Sequence, residues 1–296
     1  MGDLSIAPVF ISIGILLTSL MVLWLYKREG GGKDTLFSPK IFKFKDFDFS
    51  LATIFIVLIP MSGMMFTLPV FWQSVRHYDA FETGLTFLPY SITLFLIAPS
   101  MGKLASKVSP KYIIQSGIVL SMVGLWLMHD SFTVDSTWKS AALSIGVYGA
   151  GIAMVFSQIQ NYLLSTVDKK YVGEASGLNS AVRQLGSALG TTILGTVFLS
   201  IVTSTMTTNI NESDILSNDI KTELIQSVQA SSGFGERNNS QETELPESIS
   251  SEIETLSNES ILESLKDTFL IGIGVTAISL LVSFGLPKKL EEEIEG

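Results

Sequence analysis

The feature that most constrains this chain is a series of long stretches without charge. Seven windows contain no aspartate, glutamate, lysine or arginine, and they cover residues 4–26, 49–75, 83–102, 112–129, 140–167, 184–211 and 268–287. A helix needs roughly 18–20 apolar residues to cross the hydrocarbon core of a bilayer, and each window is long enough. We therefore predict an all-α, polytopic membrane protein with seven transmembrane helices, near 7–26, 51–72, 84–104, 112–129, 140–163, 177–203 and 268–287.

The composition argues against several other classes of protein. Only 16% of the residues are charged, whereas soluble domains have about 25%. The chain has no cysteine and two histidines, so we expect no disulfide framework, no metal site and no cofactor. No phosphate-binding loop and no Ser/His/Asp set is recognisable, so an enzyme is not expected. The net charge of −9 comes mainly from one acidic segment, and nucleic acid is not an expected partner.

The distribution of lysine and arginine predicts the orientation in the membrane. If the N-terminus lies outside, thirteen of these residues fall in cytoplasmic segments and five in external segments. Short cytoplasmic loops of membrane proteins carry such an excess of positive charge. We therefore predict a multi-pass protein of the cell membrane, with its N-terminus outside and its C-terminus in the cytoplasm, and the lipid bilayer as its first partner.

The predicted spans divide the chain into five segments. These are a first transmembrane helix (1–26), a cytoplasmic linker with basic and aromatic residues (27–49), five transmembrane helices (50–203), an acidic extracellular loop (204–266), and the last transmembrane helix with a cytoplasmic tail (267–296).

Two parts of the acidic loop have helical periodicity. Apolar residues recur every three or four positions at Ile220, Leu224 and Val228, and again at Ile249, Ile253 and Leu256. We predict two short amphipathic helices that lie over the outer mouth of the protein.

Polar side chains cluster in the fifth predicted span, in the sequence SQIQN. Gln158 and Asn161 share one helical face, while Gln160 points to another. Polar residues in a span either line a path for substrate or form hydrogen bonds to neighbouring helices, and both interpretations are open here. Together with Asn179 and Gln184 of the next span, Gln158 and Asn161 are the candidates for a substrate path.

The sixth predicted span combines small residues with one arginine. Gly186 and Gly190 form one row of small residues, and further rows lie on other faces. Because such rows let helices approach closely, we predict that protein surrounds this helix. Arg183 lies six residues after the start of the span, or roughly 9 Å. Its guanidinium could snorkel to the inner surface, or meet carbonyls, Gln184 or a carboxylate such as Glu174. We favour a structural or gating role for Arg183, Gly186 and Gly190, and contact between Arg183 and substrate is the alternative.

Two long motifs resemble a known family. LPVFWQSVRHYDAFETGLTFLPYSITLFLIAPSMGKLASKVSPKYII (68–114) and GEASGLNSAVRQLGSALGTTILGTVF (173–198) resemble the C-terminal half of fourteen-span drug:proton antiporters of the major facilitator superfamily. The segment LWLYKREGGGKDTLFSPKIFKFKDF resembles that family's link after its eighth span. The resemblance would make the seven predicted spans the family's eighth to fourteenth.

The loop GKLASKVSPKY (102–112) resembles a degenerate copy of the superfamily's G-x-L-a-D-r-x-G-r-k loop, in which Lys107 replaces the arginine. The resemblance assigns Gly102, Lys103, Lys107 and Lys111 to packing and gating. His77 stands where the family has a glycine, so the local turn is a point of departure from the family.

The resemblance implies a C-terminal major facilitator bundle preceded by one linker helix. It implies proton-coupled efflux of lipophilic drugs or toxic compounds by alternating access, with small lipophilic substrates and protons as ligands. No aspartate or glutamate lies within the predicted spans, although proton coupling needs a titratable group in the membrane. We therefore expect a truncated product, or one half of a split transporter whose N-terminal half is a separate partner chain. The alternative is a non-transporting membrane protein that binds or assembles through its acidic loop.

Overall fold

The computed structural model describes residues 39–230 and 246–287, together with single positions between 12 and 27. Eight α-helices and two short 3₁₀ helices make up the two long ranges. The α-helices are α1 (Lys45–Ser74), α2 (Ala80–Thr86), α3 (Leu88–Ala105), α4 (Pro110–Ser131), α5 (Trp138–Ser165), α6 (Val172–Glu212), α7 (Asn218–Ala230) and α8 (Glu247–Ser283). The 3₁₀ helices are Pro39–Lys43 and Lys169–Tyr171.

Six helical segments are long and apolar enough to cross a membrane. They are Lys45–Ser74, Ala80–Ala105, Pro110–Ser131, Trp138–Ser165, Lys169–Glu212 and Ser248–Ser283. These segments correspond to the six predicted spans between 51 and 287, and α2 and α3 together form one of them. Among the residues that it describes, the structure therefore shows an all-α, membrane-type fold with six candidate spans. The first predicted span, 7–26, lies outside the described residues apart from single helical positions, so the prediction of seven spans is untested.

The membrane-length helices pack into one bundle. α5 packs against α3 and α4, α8 packs against α4 and α1, and α6 packs against α1 and α8. The core between them is apolar, and it includes Val57 on α1, Ile118 on α4, Ile152 on α5 and Phe269 on α8. Because lipid tails are as apolar as these side chains, close packing rather than exclusion of water holds such a core together in a membrane.

α6 lies unusually close to α1. A Cβ atom built on Gly190 would lie 2.5 Å from the carbonyl oxygen of Ile59, and one built on Gly186 would lie 3.0 Å from another α1 carbonyl. Between the same two helices, Ser62 Oγ donates a hydrogen bond of 2.9 Å to Ser187 Oγ. The row formed by Gly186 and Gly190 therefore contacts α1, as small-residue spacing predicts.

The other side of α6 is uncovered in the part of the chain that the structure describes. Leu185, Leu189 and Ile193 are exposed there, and a Cβ built on Gly177 would have nothing within 4 Å. The prediction that protein surrounds α6 is therefore met on one side only. The rows that contain Gly190 and Gly195 face α1, whereas the row that contains Gly173 and Gly177 has no neighbour among the described residues.

The segment predicted as an acidic loop is largely helical and packs on itself. α6 has 41 residues and is therefore about 60 Å long, twice the roughly 30 Å of the hydrocarbon core. The second predicted short helix is the first part of α8, which runs without a break from Glu247 to Ser283. The end of α6, α7 and the start of α8 share an apolar cluster of Ile210, Leu216, Val228 and their neighbours. We call this three-helix structure the α7 unit, and we call the two ends of the bundle the α7 end and the opposite end.

Polar contacts form within the α7 unit and also connect it to the rest of the bundle. Within the unit, Ser213 Oγ donates to Glu252 Oε1 at 2.7 Å. His77 Nε2, in the turn between α1 and α2, lies 3.4 Å from Glu254 Oε1. His77 has a φ of 53°, in the left-handed region that favours glycine. The backbone therefore takes a glycine-like turn at the position where the resembling family has glycine, although the residue here is histidine.

Replacing Gly190 by alanine tests the close contact between α1 and α6. Because the added methyl group would meet the α1 backbone, we expect Gly190→Ala to push the helices apart and to lower stability by about 1–3 kcal/mol. Gly177→Ala is the matched control on the same helix, and it should be neutral or stabilising by up to about 1 kcal/mol, since alanine favours helix. Thermal unfolding of both variants in detergent checks this, and equal behaviour of the two would contradict the packing.

Candidate functional site

The polar residues predicted on α5 point in different directions in the structure. Gln158 is buried, and its Nε2 donates to Ser157 Oγ at 3.3 Å. Asn161 is exposed, whereas Gln160 is half-buried and faces α6. Gln158 and Asn161 therefore do not form one polar surface, although their spacing suggested a shared face.

Two contacts join α5 to the first turns of α6. Asn179 Nδ2 donates to Gln160 Oε1 at 2.7 Å, and the guanidinium carbon of Arg183 lies 5.0 Å from the centroid of the Phe156 ring. Phe156 and Gln160 are one turn apart on α5, and Asn179 and Arg183 are one turn apart on α6. Because the two helices run in opposite directions, the contacts form two successive rungs. We call these four residues the two-rung contact.

Asn179 has a polar atom without a partner. The side chain is 1% exposed, and its Oδ1 accepts no hydrogen bond from the described residues. If the side-chain amides of Asn179 and Gln160 are both rotated by 180°, Asn179 Nδ2 takes the position of Oδ1 and lacks an acceptor instead. A buried polar atom without a hydrogen-bond partner lowers stability by on the order of 1–3 kcal/mol. The two-rung contact contains one such atom, Asn179 Oδ1.

Arg183 is held by an aromatic ring rather than by a carboxylate. Its contact with Phe156 is a cation–π interaction, worth about 0.5–2 kcal/mol. Neither Gln184 nor Glu174 pairs with it, and among the described residues the guanidinium takes part in no hydrogen bond or ion pair. α6 starts at Val172, so Arg183 lies about 16 Å along the helix. α6 begins five residues before the predicted start of the span at 177, which accounts for the difference from the roughly 9 Å expected from the sequence.

A strip of polar residues continues from Gln184 along the exposed side of α6. Every fourth residue is exposed, and apart from Ala188 these residues are polar: Gln184, Thr192, Thr196, Ser200 and Ser204. A shallow, open depression lies over the second half of the strip, and its lining residues all belong to α6: Thr196, Leu199, Ser200, Thr203, Ser204, Thr207 and Thr208. Gln184 thus lies on the exposed side of α6, whereas Asn179 is buried beside α5.

The residues assigned to the gating loop separate into two groups. Gly102, Lys103 and Lys107 are exposed at the end of α3 and in the following turn. Lys111, in contrast, is 7% exposed. Its Nζ donates to the carbonyl oxygens of Phe284 and Leu286, which follow the last turn of α8. Lys111 therefore caps the end of α8, where the helix dipole favours a cation.

Two further side chains hold the same end of α8. Gln115 Nε2 on α4 donates to the carbonyl of Ser283 at 3.4 Å, and Tyr162 Oη on α5 donates to the carbonyl of Pro287 at 2.6 Å. Carbonyls at a helix end have no partner within the helix, so donors from α4 and α5 satisfy them. Together with Lys111, these contacts fix the opposite end of the bundle.

Four of these residues, Phe156, Gln160, Gln115 and Tyr162, were not candidates from the sequence. For Phe156 and Gln160 a signal was present, because they lie about as far before the α5–α6 turn as Arg183 and Asn179 lie after it. Residues placed in this way meet in an antiparallel helix pair. No such signal exists for Tyr162, since its partner is 125 positions away. Among the described residues, no group of three His, Cys, Asp or Glu side chains could hold a metal ion.

Comparison with known proteins identifies the family. Residues 2–191, which are more than half of the chain, match the sequence profile of the Major Facilitator Superfamily. The chain belongs to this superfamily. Major Facilitator proteins are membrane transporters and not enzymes, so this chain is a multi-pass membrane protein of a transporter family.

The similar relatives of this Major Facilitator chain include several drug-resistance proteins. It is 28% identical over 177 residues, or 59% of its length, to the multidrug resistance protein Stp of Mycobacterium tuberculosis, of which it covers 32%. It is 25% identical over 159 residues (54% of its length) to the colistin resistance protein EmrB of Acinetobacter baumannii, of which it covers 31%. It is 24% identical over 181 residues (61% of its length) to the lincomycin resistance protein LmrB of Bacillus subtilis, of which it covers 36%. The matches thus span about a third of each relative.

Replacing Lys111 tests the cap on α8. We expect Lys111→Met to lower the stability of this Major Facilitator chain by about 1–3 kcal/mol, because the carbonyls of Phe284 and Leu286 lose a charged donor. Lys107→Met removes an exposed lysine from the preceding turn and should change stability by less than about 0.5 kcal/mol. Thermal unfolding in detergent compares the two, and a similar loss in both would mean that the charge, not the cap, matters.

Proposed function

We propose that this chain is the C-terminal half of a drug exporter and that it works with an N-terminal half bundle. The observation that carries this proposal is the exposed polar strip on α6, which begins at Gln184 and lies in a membrane-length helix. Polar side chains in a span usually face other helices or a wet cavity, because exposure to lipid is costly. A second bundle that covers this side of α6 would turn the strip into one wall of a central cavity.

The burial of the other helices agrees with a missing neighbour. In the most apolar segment of the span formed by α2 and α3, only 11% of the residues are buried, compared with 61% in the corresponding segment of α5. Phe95 and Leu96 on α3 are exposed. In the proposed transporter, α3 and α6 meet the N-terminal half, and the two bundles rock against each other around a midplane site.

The four candidate path residues take different parts in this proposal. Gln184 and Asn161 are exposed, so a substrate in the cavity can reach them directly. Asn179 is buried beside Gln160 of α5 and becomes accessible only when α5 and α6 move apart. Gln158 is also buried, but two positions from Gln160 it lies on another side of α5. The exposed residues Gly102, Lys103 and Lys107 remain proposed elements of gating.

The names of the relatives support a lipophilic drug or toxic compound as the substrate class, since they refer to multidrug, colistin and lincomycin resistance. We further propose that efflux is coupled to protons. The six spans predicted from the sequence between 51 and 287 contain no aspartate or glutamate, so the proton-carrying carboxylate would belong to the N-terminal half. That half would be part of a longer polypeptide or a separate chain.

In this proposal the α7 end faces outside and the opposite end faces the cytoplasm, because lysine and arginine concentrate in the segments at the opposite end. The chain has no cysteine, so single cysteines report topology cleanly. We expect Ser217→Cys, beside α7, to react with a membrane-impermeant maleimide in intact cells. Ser106→Cys, between α3 and α4, should react only after permeabilisation. The reverse pattern would contradict the orientation.

Efflux measurements test the proposed half-transporter. Cells that produce this chain together with the N-terminal half of a similar transporter should expel a lipophilic dye, and a protonophore should abolish the efflux. Cells that produce either half alone should retain the dye, because a single bundle cannot alternate access. Strong proton-dependent efflux by this chain alone would contradict the proposal.

One observation favours a second function. The α7 unit has its own apolar cluster, separate from the membrane core, as a binding or assembly unit would. If this chain is a non-transporting membrane protein, deletion of 210–262 should abolish its activity in cells, while substitution of Arg183 or Asn161 should not. The exporter proposal expects the opposite, namely that substitution of Arg183 or Asn161 reduces activity more than deletion of 210–262.

A further inference from the structure

Each rung of the two-rung contact contains a polar group that has no hydrogen-bond partner among the described residues. On the first rung, Asn179 has a buried polar atom without a partner. On the second rung, the guanidinium of Arg183 lies on the Phe156 ring, and it donates no hydrogen bond to any residue that the structure describes. An intramembrane cation with no anionic partner is by default a sign of a functional site.

The direction in which Arg183 faces also matters. Its rung joins α6 to α5, whereas the contacts of α6 with α1 lie further along the helix, at Gly186 and Gly190. Phe156 is only partly buried, so the guanidinium sits at the edge of the α5–α6 pair. In the proposed transporter this edge adjoins the polar strip that begins at Gln184.

We propose that the two-rung contact is a binding site for a single carboxyl group. The planar guanidinium fork of Arg183 matches an ionised carboxylate, which it binds with two parallel hydrogen bonds. When α5 and α6 move apart, the same group in its protonated form can also donate its O–H to Asn179 Oδ1, which has no donor among the described residues. A neutral ligand would leave the arginine unpaired, and a second cation would be repelled by it.

The carboxyl group at Arg183 has two sources, a lipophilic substrate with a carboxylate or a side chain of the N-terminal half. The second source rests on the function proposed above, and the first does not.

A binding experiment tests the first source without any need for transport. The chain is placed in lipid nanodiscs and dialysed against 2-naphthoate or against 2-naphthamide, which has the same ring system and no charge. We expect the wild type to bind naphthoate at least tenfold more tightly than naphthamide. Arg183→Gln should remove this preference, and Lys45→Gln, which removes an exposed cation at the same end of the bundle, should keep it. Comparing two ligands within each variant makes the result independent of folding yield.

An efflux experiment tests the second source. In cells that also contain the N-terminal half, Arg183→Gln should reduce efflux of an uncharged dye at least tenfold if a partner carboxylate pairs with the arginine. Arg183→Lys keeps the charge and should retain part of the efflux. If a substrate carboxylate is the ligand, Arg183→Gln should spare the uncharged dye and reduce efflux only of a dye with a carboxylate.

The two experiments together decide the proposal. A naphthoate preference that Arg183→Gln removes supports a site for a free carboxylate. Absence of that preference, with loss of uncharged-dye efflux in Arg183→Gln and its retention in Arg183→Lys, supports a carboxylate of the N-terminal half. If Arg183→Gln changes neither measurement, the proposal is overturned. If no variant and no wild type expels dye, the transport function fails, and the binding experiment alone decides the carboxyl site.

Discussion

The close contact of α6 with α1 determines how the rest of the site is arranged. Asn179, Arg183, Gly186 and Gly190 follow one another at spacings of four, three and four, so they lie on a single face of α6. Because Gly186 and Gly190 let this face press against the α1 backbone, the rotation of the helix is set. The earlier part of the same face then meets α5, and the polar strip from Gln184 is left on the uncovered side.

The end of α8 is held by side chains from other helices. Lys111, Gln115 and Tyr162 supply donors to the carbonyls that end α8. At the same end, Ile41 and Phe47 pack with Leu163 and Ala175 in a second apolar cluster. The α7 end is tied together by the α7 unit and by the contact of His77 with Glu254. The two ends are therefore braced, while α5 and α6 share few contacts between them.

Much of the fold could be predicted from the distribution of charge. Six uncharged windows gave six membrane-length helices, because a helix is the structure that satisfies its own backbone hydrogen bonds in lipid. Helix ends were harder to predict. α6 continues beyond the predicted end of its span at 203, and α8 begins before the predicted start of its span at 268. The amphipathic segments outside the spans are helical because they pack on each other in the α7 unit. The positions of charged residues predict where a helix leaves the membrane, but not the residue at which the helix ends.

The sequence by itself determined that this is a multi-pass helical membrane protein, that α6 has a small-residue face, and that one arginine lies within it. Only the tertiary structure decided what that arginine meets. Residues four apart on one helix can be read from the sequence, but the partner depends on which helix packs against that face. The same limit applies to Lys111, which looks like an ordinary loop lysine and instead caps the end of a helix, 173 positions away at Phe284. A hydrogen bond between distant segments depends on the packing of the whole bundle, and no local pattern records it.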